Sequence, residues 1–79
     1  MYTVYVLQDN KGNLYKGLTN NLARRFSEHK RGKTITTSRM VNPQIVYTEE
    51  HEDFKIARQR ELYLKTAAGR KYLKSKMRV

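Results

Sequence analysis

Residues 1–8 alternate with a period of two: Tyr2, Val4 and Val6 face one way, and Thr3, Tyr5 and Leu7 the other, which predicts a strand. The segment DNKGN then offers a three-residue loop, Asn10-Lys11-Gly12, suited to a type I turn followed by glycine in the left-handed region. Asp9 and Asn13 would flank it as a pair. Counting back along both arms predicts Leu7 opposite Tyr15 and Tyr5 opposite Gly17, so these four share a face. A two-residue loop would put the two tyrosines on opposite faces. The second strand is expected over about 13–18.

Helical spacing follows over about 21–31, with Thr19 or Asn20 as the cap and Gly32 as the stop. Residues 33–43 read as an exposed loop ending in Asn42-Pro43. A third strand should begin after Pro43, which lacks a backbone donor, and cover 44–50. A second helix is expected over about 53–66, capped by Asp53 or Glu52, with Phe54, Ala57 and Leu64 on its apolar face. Gly69 breaks that pattern, and a short helix over about 69–77 can use Tyr72, Leu73 and Met77. The order β-β-α-β-α-α predicts one small mixed α/β domain over 1–79. Its three-stranded, mainly antiparallel sheet is flanked by helices.

Both longer helices interrupt their own apolar stripe. At about 100° per residue, Leu22, Arg25, Phe26 and His29 share one face of LARRFSEH, while Arg24 points away as an ordinary solvated charge. A charge on the inner face is costly unless it has a partner or a task. On the second helix Glu61 falls between Phe54, Ala57 and Leu64. Arg58 and Lys65, at i−3 and i+4, offer local bridges, though exposed pairs of that kind stabilise by only ~0.3–0.5 kcal/mol. A carboxylate buried there needs a cation or a metal. If the stripe runs past the sheet's edge, Tyr5, Tyr15, Arg25, His29 and Glu61 line a shallow cleft open to a basic surface.

The basic surface follows from composition. The 79 residues carry 17 Lys and Arg against 7 Asp and Glu, a net charge of +10. Most of the acids lie in EEHED at 49–53, and the segment KTAAGRKYLKSKMRV has none. Such a surface draws polyanions, nucleic acid above all. Lys30, Arg31, Lys33, Arg39, Lys65, Arg70, Lys71 and Lys74 are the candidate contacts. A membrane surface is disfavoured because the basic segments lack a large apolar face, and no apolar run approaches the ~18 residues of a membrane span. The absence of cysteine excludes disulfides and thiolate metal sites. MYTVYVLQ has no basic start or cleavage site, so no signal peptide is expected and the cytoplasm is the expected location.

Taken in order, these residues resemble the GIY-YIG nuclease domain. Thr3-Val4-Tyr5 stands at its first motif and Tyr15-Lys16-Gly17 at its second; Thr19, Leu22, Arg25 and His29 follow at the family's spacing, and Glu61 stands in RQRELYLK. The chain is similar to the short, single-domain bacterial branch that carries no separate DNA-binding module. Thr3 and Val4 replace the motif's Gly and Ile, Lys16 replaces an Ile, and no asparagine follows Asn42, whereas some active relatives have one after the glutamate.

The resemblance implies hydrolysis of a phosphodiester in DNA with one divalent cation, Mg²⁺ or Mn²⁺, ligated by Glu61. Arg25 would hold the phosphate and Tyr15 a phosphate or water. Tyr5 would be the base, with His29 as a rival base or as acceptor of the tyrosine's proton. Gly17, Thr19 and Leu22 would be structural, Gly17 leaving room for close backbone approach. Phosphate contacts should dominate, with weak sequence preference. The alternative is a nucleic-acid-binding module of the same fold without catalysis; a basic protein associated with the ribosome or another partner is more distant.

Overall fold

The computed structural model describes residues 1–32 and 40–77. Its elements are β1 (Tyr2–Gln8), β2 (Leu14–Thr19), α1 (Leu22–Lys30), β3 (Gln44–His51), α2 (Phe54–Leu64) and α3 (Ala67–Met77). The strands form one sheet in the order β2-β1-β3, with both pairings antiparallel.

The hairpin has the expected register, with Leu7 opposite Tyr15 and Tyr5 opposite Gly17. Asp9 N–H donates to Asn13 O at 3.1 Å, and Gly12 takes the left-handed φ of 88° that closes a loop of this length. The Asp9 carboxylate accepts from the backbone N–H of Lys11 and Asn13, at 3.0 and 2.8 Å. On the other side of β1 the register slips between Val6 and Leu7, which pair with Tyr47 and Ile45. The extra residue, Val46, lets both Val46 and Tyr47 pack on the core.

Two expectations about helix ends change. Because β2 runs through Thr19, the cap of α1 falls at Asn21, whose side chain accepts from Arg24 N–H at 3.1 Å. Thr19 Oγ1 instead accepts from Asn21 N–H at 3.1 Å and fixes the corner. Gly69 does not break the chain between α2 and α3. The break lies at Lys65-Thr66, where Thr66 Oγ1 accepts from Gly69 N–H at 3.1 Å. Gly69 is buried inside α3, and a Cβ there would strike Tyr63 O and lie 2.5 Å from the Leu64 Cα. The missing side chain permits close helix approach.

Strand alternation divides the sheet into two faces. Val4 and Val6 meet Ala57, Leu64 and Leu73 in the buried core, flanked by Leu18, Tyr47 and Tyr72. The stripe of α2 thus faces this side, but Phe54 does not join the core. At the first turn of α2 it meets Tyr2 edge-to-face at 5.4 Å and stays 53% exposed. Tyr5 and Leu7 are fully buried on the opposite side, where α1 supplies His29.

Candidate active site

Gly17 creates the space for the cluster on the Tyr5 face. A Cβ at this position would lie 2.5 Å from Tyr5 Cζ and Oη, so the phenol ring occupies the volume a side chain would need. The close approach is therefore made by the Tyr5 ring rather than by backbone. The Tyr5 hydroxyl lies 2.7 Å from His29 Nε2. The Tyr15 ring packs against His29 with centroids 4.9 Å apart and against Tyr5 at 6.2 Å. Arg25 lies beside both tyrosine hydroxyls and donates from Nη1 to Glu28 Oε1 at 3.0 Å. Tyr5, Tyr15, Arg25 and His29 are thus brought together, as their shared face and stripe predicted.

Their electrostatics follow from burial. Tyr5 is 1% exposed and His29 2%. Burial pushes the Tyr5 phenol up to about 12, with the Arg25 guanidinium pulling the other way. Burial, and then the same guanidinium, push His29 below the usual imidazole range. Both are neutral at pH 7, while Glu28 and then Tyr5 hold Arg25 charged. The expected shallow cleft is not open down to Tyr5, whose ring fills the space over Gly17. Tyr15 and Arg25 are only half-buried and form the cluster's accessible side.

Glu61 is buried at 7% exposure, but it rises from the helix that covers the Val4 face. Its carboxylate accepts from Arg58 Nη1 at 2.7 Å and Lys65 Nζ at 3.2 Å, the two local bridges the spacing offered. Among the described residues it makes no hydrogen bond or ion pair with the Tyr5 cluster, and no group of three or more His, Asp or Glu side chains is placed to hold a metal ion. A single carboxylate suits a weak Mg²⁺ or Mn²⁺ site in which waters fill most positions, but here that carboxylate already binds two cations. The residues present do not form a metal cage.

Leu22 is half-buried at the start of α1. Of the basic candidates, Lys30 lies over the Phe26 ring at 5.5 Å and Arg31 is exposed. Arg70, Lys71 and Lys74 line a hollow of about 530 Å³ on α3. Lys33 and Arg39 lie outside the described residues. Sequence reading missed Lys16, which is half-buried; burial and then the neighbouring Arg70 and Lys65 depress its ammonium pKa. It adds a strand residue to the basic helix face.

A second polar network was also missed. Glu49 accepts from Arg60 Nε and Nη2 at 2.9 and 2.6 Å and from the Tyr47 hydroxyl, and lies 3.0 Å from His51 Nε2. The Arg60 guanidinium also lies over the Tyr63 and Tyr72 rings at 5.0 and 5.1 Å. This network ties β3 to α2 and α3. No helix among the described residues is long and apolar enough to cross a membrane.

Comparison with known proteins identifies the family. The GIY-YIG catalytic domain family model matches residues 1–74. A UPF0213 protein of Orgyia pseudotsugata multicapsid polyhedrosis virus is 35% identical across 98% of this chain and 75% of its own length. One from Bacillus cereus is 36% identical across 77% of this chain; the match covers 65% of that relative's length, just under two thirds. The solution NMR structure of a UPF0213 protein from Bacillus halodurans aligns with a TM-score of 0.59 at 26% identity, covering 95% of this chain and 84% of that one. By its motifs, its fold and these matches, the chain belongs to the GIY-YIG catalytic domain family.

Proposed function

We propose that the domain is an endonuclease-like hydrolase of phosphodiester bonds in nucleic acid, with DNA favoured over RNA and weak sequence preference. The observation that carries this reading is the 2.7 Å contact between the Tyr5 hydroxyl and His29 Nε2, with Arg25 and Tyr15 beside it. A phosphate approaching from the accessible side meets Arg25, whose fork of N–H donors suits two non-bridging oxygens and stabilises the charge that builds there. Tyr15 orients the attacking water.

A phenol with a pKa of about 12 is a poor base by itself. With His29 neutral and its Nε2 unprotonated, Tyr5 donates its hydroxyl proton to His29 as it takes one from the water. Tyr5 and His29 thereby act in series. The new P–O bond forms as the P–O bond to the leaving oxygen breaks; that oxygen takes a proton from solvent, and His29 later returns one. The divalent cation that the family implies would fall to Glu61 and would supply Lewis-acid chemistry, but this carboxylate is held by Arg58 and Lys65, so no step of the proposal runs through a metal. The contacts of Glu61 with Arg58 and Lys65 favour a second reading, a binding module of the same fold without catalysis. Lys16, Lys30, Arg31, Lys65, Arg70, Lys71 and Lys74 serve phosphate contact in either case, so affinity should fall steeply with salt.

A plasmid-nicking assay with Mg²⁺ or Mn²⁺ separates the two. The hydrolase reading requires nicking by the wild type that Arg25→Ala abolishes, and Glu61→Ala reports whether Glu61 takes part. Salt-sensitive binding without any nicking supports the binding module instead.

A further inference from the structure

The first turn of α2 and the start of α1 border a hollow of about 350 Å³, with Tyr2, Leu18 and Phe54 as its apolar wall. Its polar wall is formed by Thr19, Asn20, Arg24, Arg25 and the Arg25-paired Glu28. Core packing does not account for Phe54, which remains 53% exposed. Because Tyr2 and Phe54 meet edge-to-face, their contact covers only one of the four ring faces. Arg24 makes no ion pair with a carboxylate among the described residues, and the Asn20 side chain is exposed. Asn20 can offer both an amide donor and a carbonyl acceptor. Arg25 belongs at once to this hollow and to the Tyr5 cluster.

We infer that the hollow seats an unpaired nucleobase next to the phosphate held by Arg25, so that the domain prefers nucleic acid with a bulge, flap or frayed end over continuous duplex. The inference rests on the reading of Arg25 as a phosphate ligand. An aromatic ring face, an apolar floor and a guanidinium provide the surface on which an unstacked base packs, and Asn20 can meet the base edge. Bases within continuous duplex remain stacked and must be unpaired before they can enter. Two guanidinium groups against the one Glu28 carboxylate, and the continuity with Arg25, favour a nucleic-acid strand as occupant.

Fluorescence anisotropy without divalent cation tests this with three probes: a continuous duplex, the same duplex with one bulged nucleotide, and that duplex with an abasic bulge. The wild type should bind the base-bearing bulge about 5- to 30-fold more tightly than the abasic one. In Phe54→Ala that ratio should collapse to about one; Phe54 is exposed, and a melting curve will verify folding. Equal wild-type affinity for the two bulges, with salt-sensitive duplex binding retained, overturns the nucleobase site and leaves the nucleic-acid reading intact. A ratio that survives Phe54→Ala overturns the placement in this hollow. Failure to bind any probe overturns both.

Discussion

The Tyr5 cluster and the Glu49 cluster occupy opposite faces of one sheet, and each removes ionisable groups from water. On the Val4 face, Glu49 is charged and meets a full set of donors: two from Arg60, one from Tyr47, and His51 alongside. Arg60 is in turn covered by the Tyr63 and Tyr72 rings. Charge is matched by charge, and three elements are bound together. On the other face, Tyr5 and His29 are both held neutral by burial, and the cation beside them keeps an accessible side. The first arrangement holds fixed, matched charges; the second holds two neutral groups in hydrogen-bond contact, which the proposed mechanism uses to pass a proton. Buried polar groups alone therefore do not mark a site. On the proposed reading, the distinguishing features are two neutral groups in hydrogen-bond contact and a partly exposed cation beside them.

The sharpest way to break the comparison is to remove the cation from each cluster. Arg25→Ala should lower nicking by about 100- to 1,000-fold, the usual cost of losing a donor to developing transition-state charge, while Tm changes little because the carboxylate partner of Arg25 among the described residues, Glu28, is partly exposed. Arg60→Ala should leave Glu49 buried with its charge poorly matched and cost about 2–3 kcal/mol of stability. That lowers Tm by ~10–20 °C in a domain of this size, with activity per folded molecule retained. Nicking and calorimetry on both variants check the pair. A large Tm loss in Arg25→Ala with activity intact would reverse the assignments.

Acid sharpens the contrast. Hydrogen bonds from Arg60 hold the Glu49 carboxyl down to about 2, below its value in an unfolded chain. Its contribution is therefore complete above about pH 4.5 and is lost as pH falls towards 2. With screening, the loss should be about 1–2 kcal/mol. Arg60→Ala should flatten this arm of the stability curve, whereas Arg25→Ala should not. Denaturant titrations between pH 2 and 5 measure it.

The Tyr5 face was the more legible of the two because local patterns fixed it. DNKGN set the loop length, the loop set the register, and the register put Tyr5, Tyr15 and Gly17 on one face. Helical spacing then placed Arg25 and His29 on an inner stripe. Glu61 was legible as a buried carboxylate with Arg58 and Lys65 beside it, but periodicity does not say which sheet face a helix will cover. The Glu49–Arg60 pair links two elements eleven positions apart and has no periodic signature, so EEHED read only as an acidic patch. Phe54 sits at the right angle for the core and fails to reach it, since a stripe gives direction and not extent. Gly69 looked like a stop because a glycine required for close helix approach and one that ends a helix look identical in sequence.

The smallest effect on stability isolates the proton step. Burial depresses His29 in the folded protein, so its unfolded form binds a proton first as pH falls. Stability from this group is complete above pH ~6.5 and is lost as pH falls from there through the folded value. His29→Gln should remove that shallow arm while keeping a side chain that can accept the Tyr5 hydroxyl, so the fold should hold. Nicking should nevertheless vanish, because an amide cannot carry the proton Tyr5 must release. If His29→Gln nicks at the wild-type rate, His29 only orients Tyr5, and the serial transfer through Tyr5 and His29 is wrong even where the loss in Arg25→Ala is confirmed.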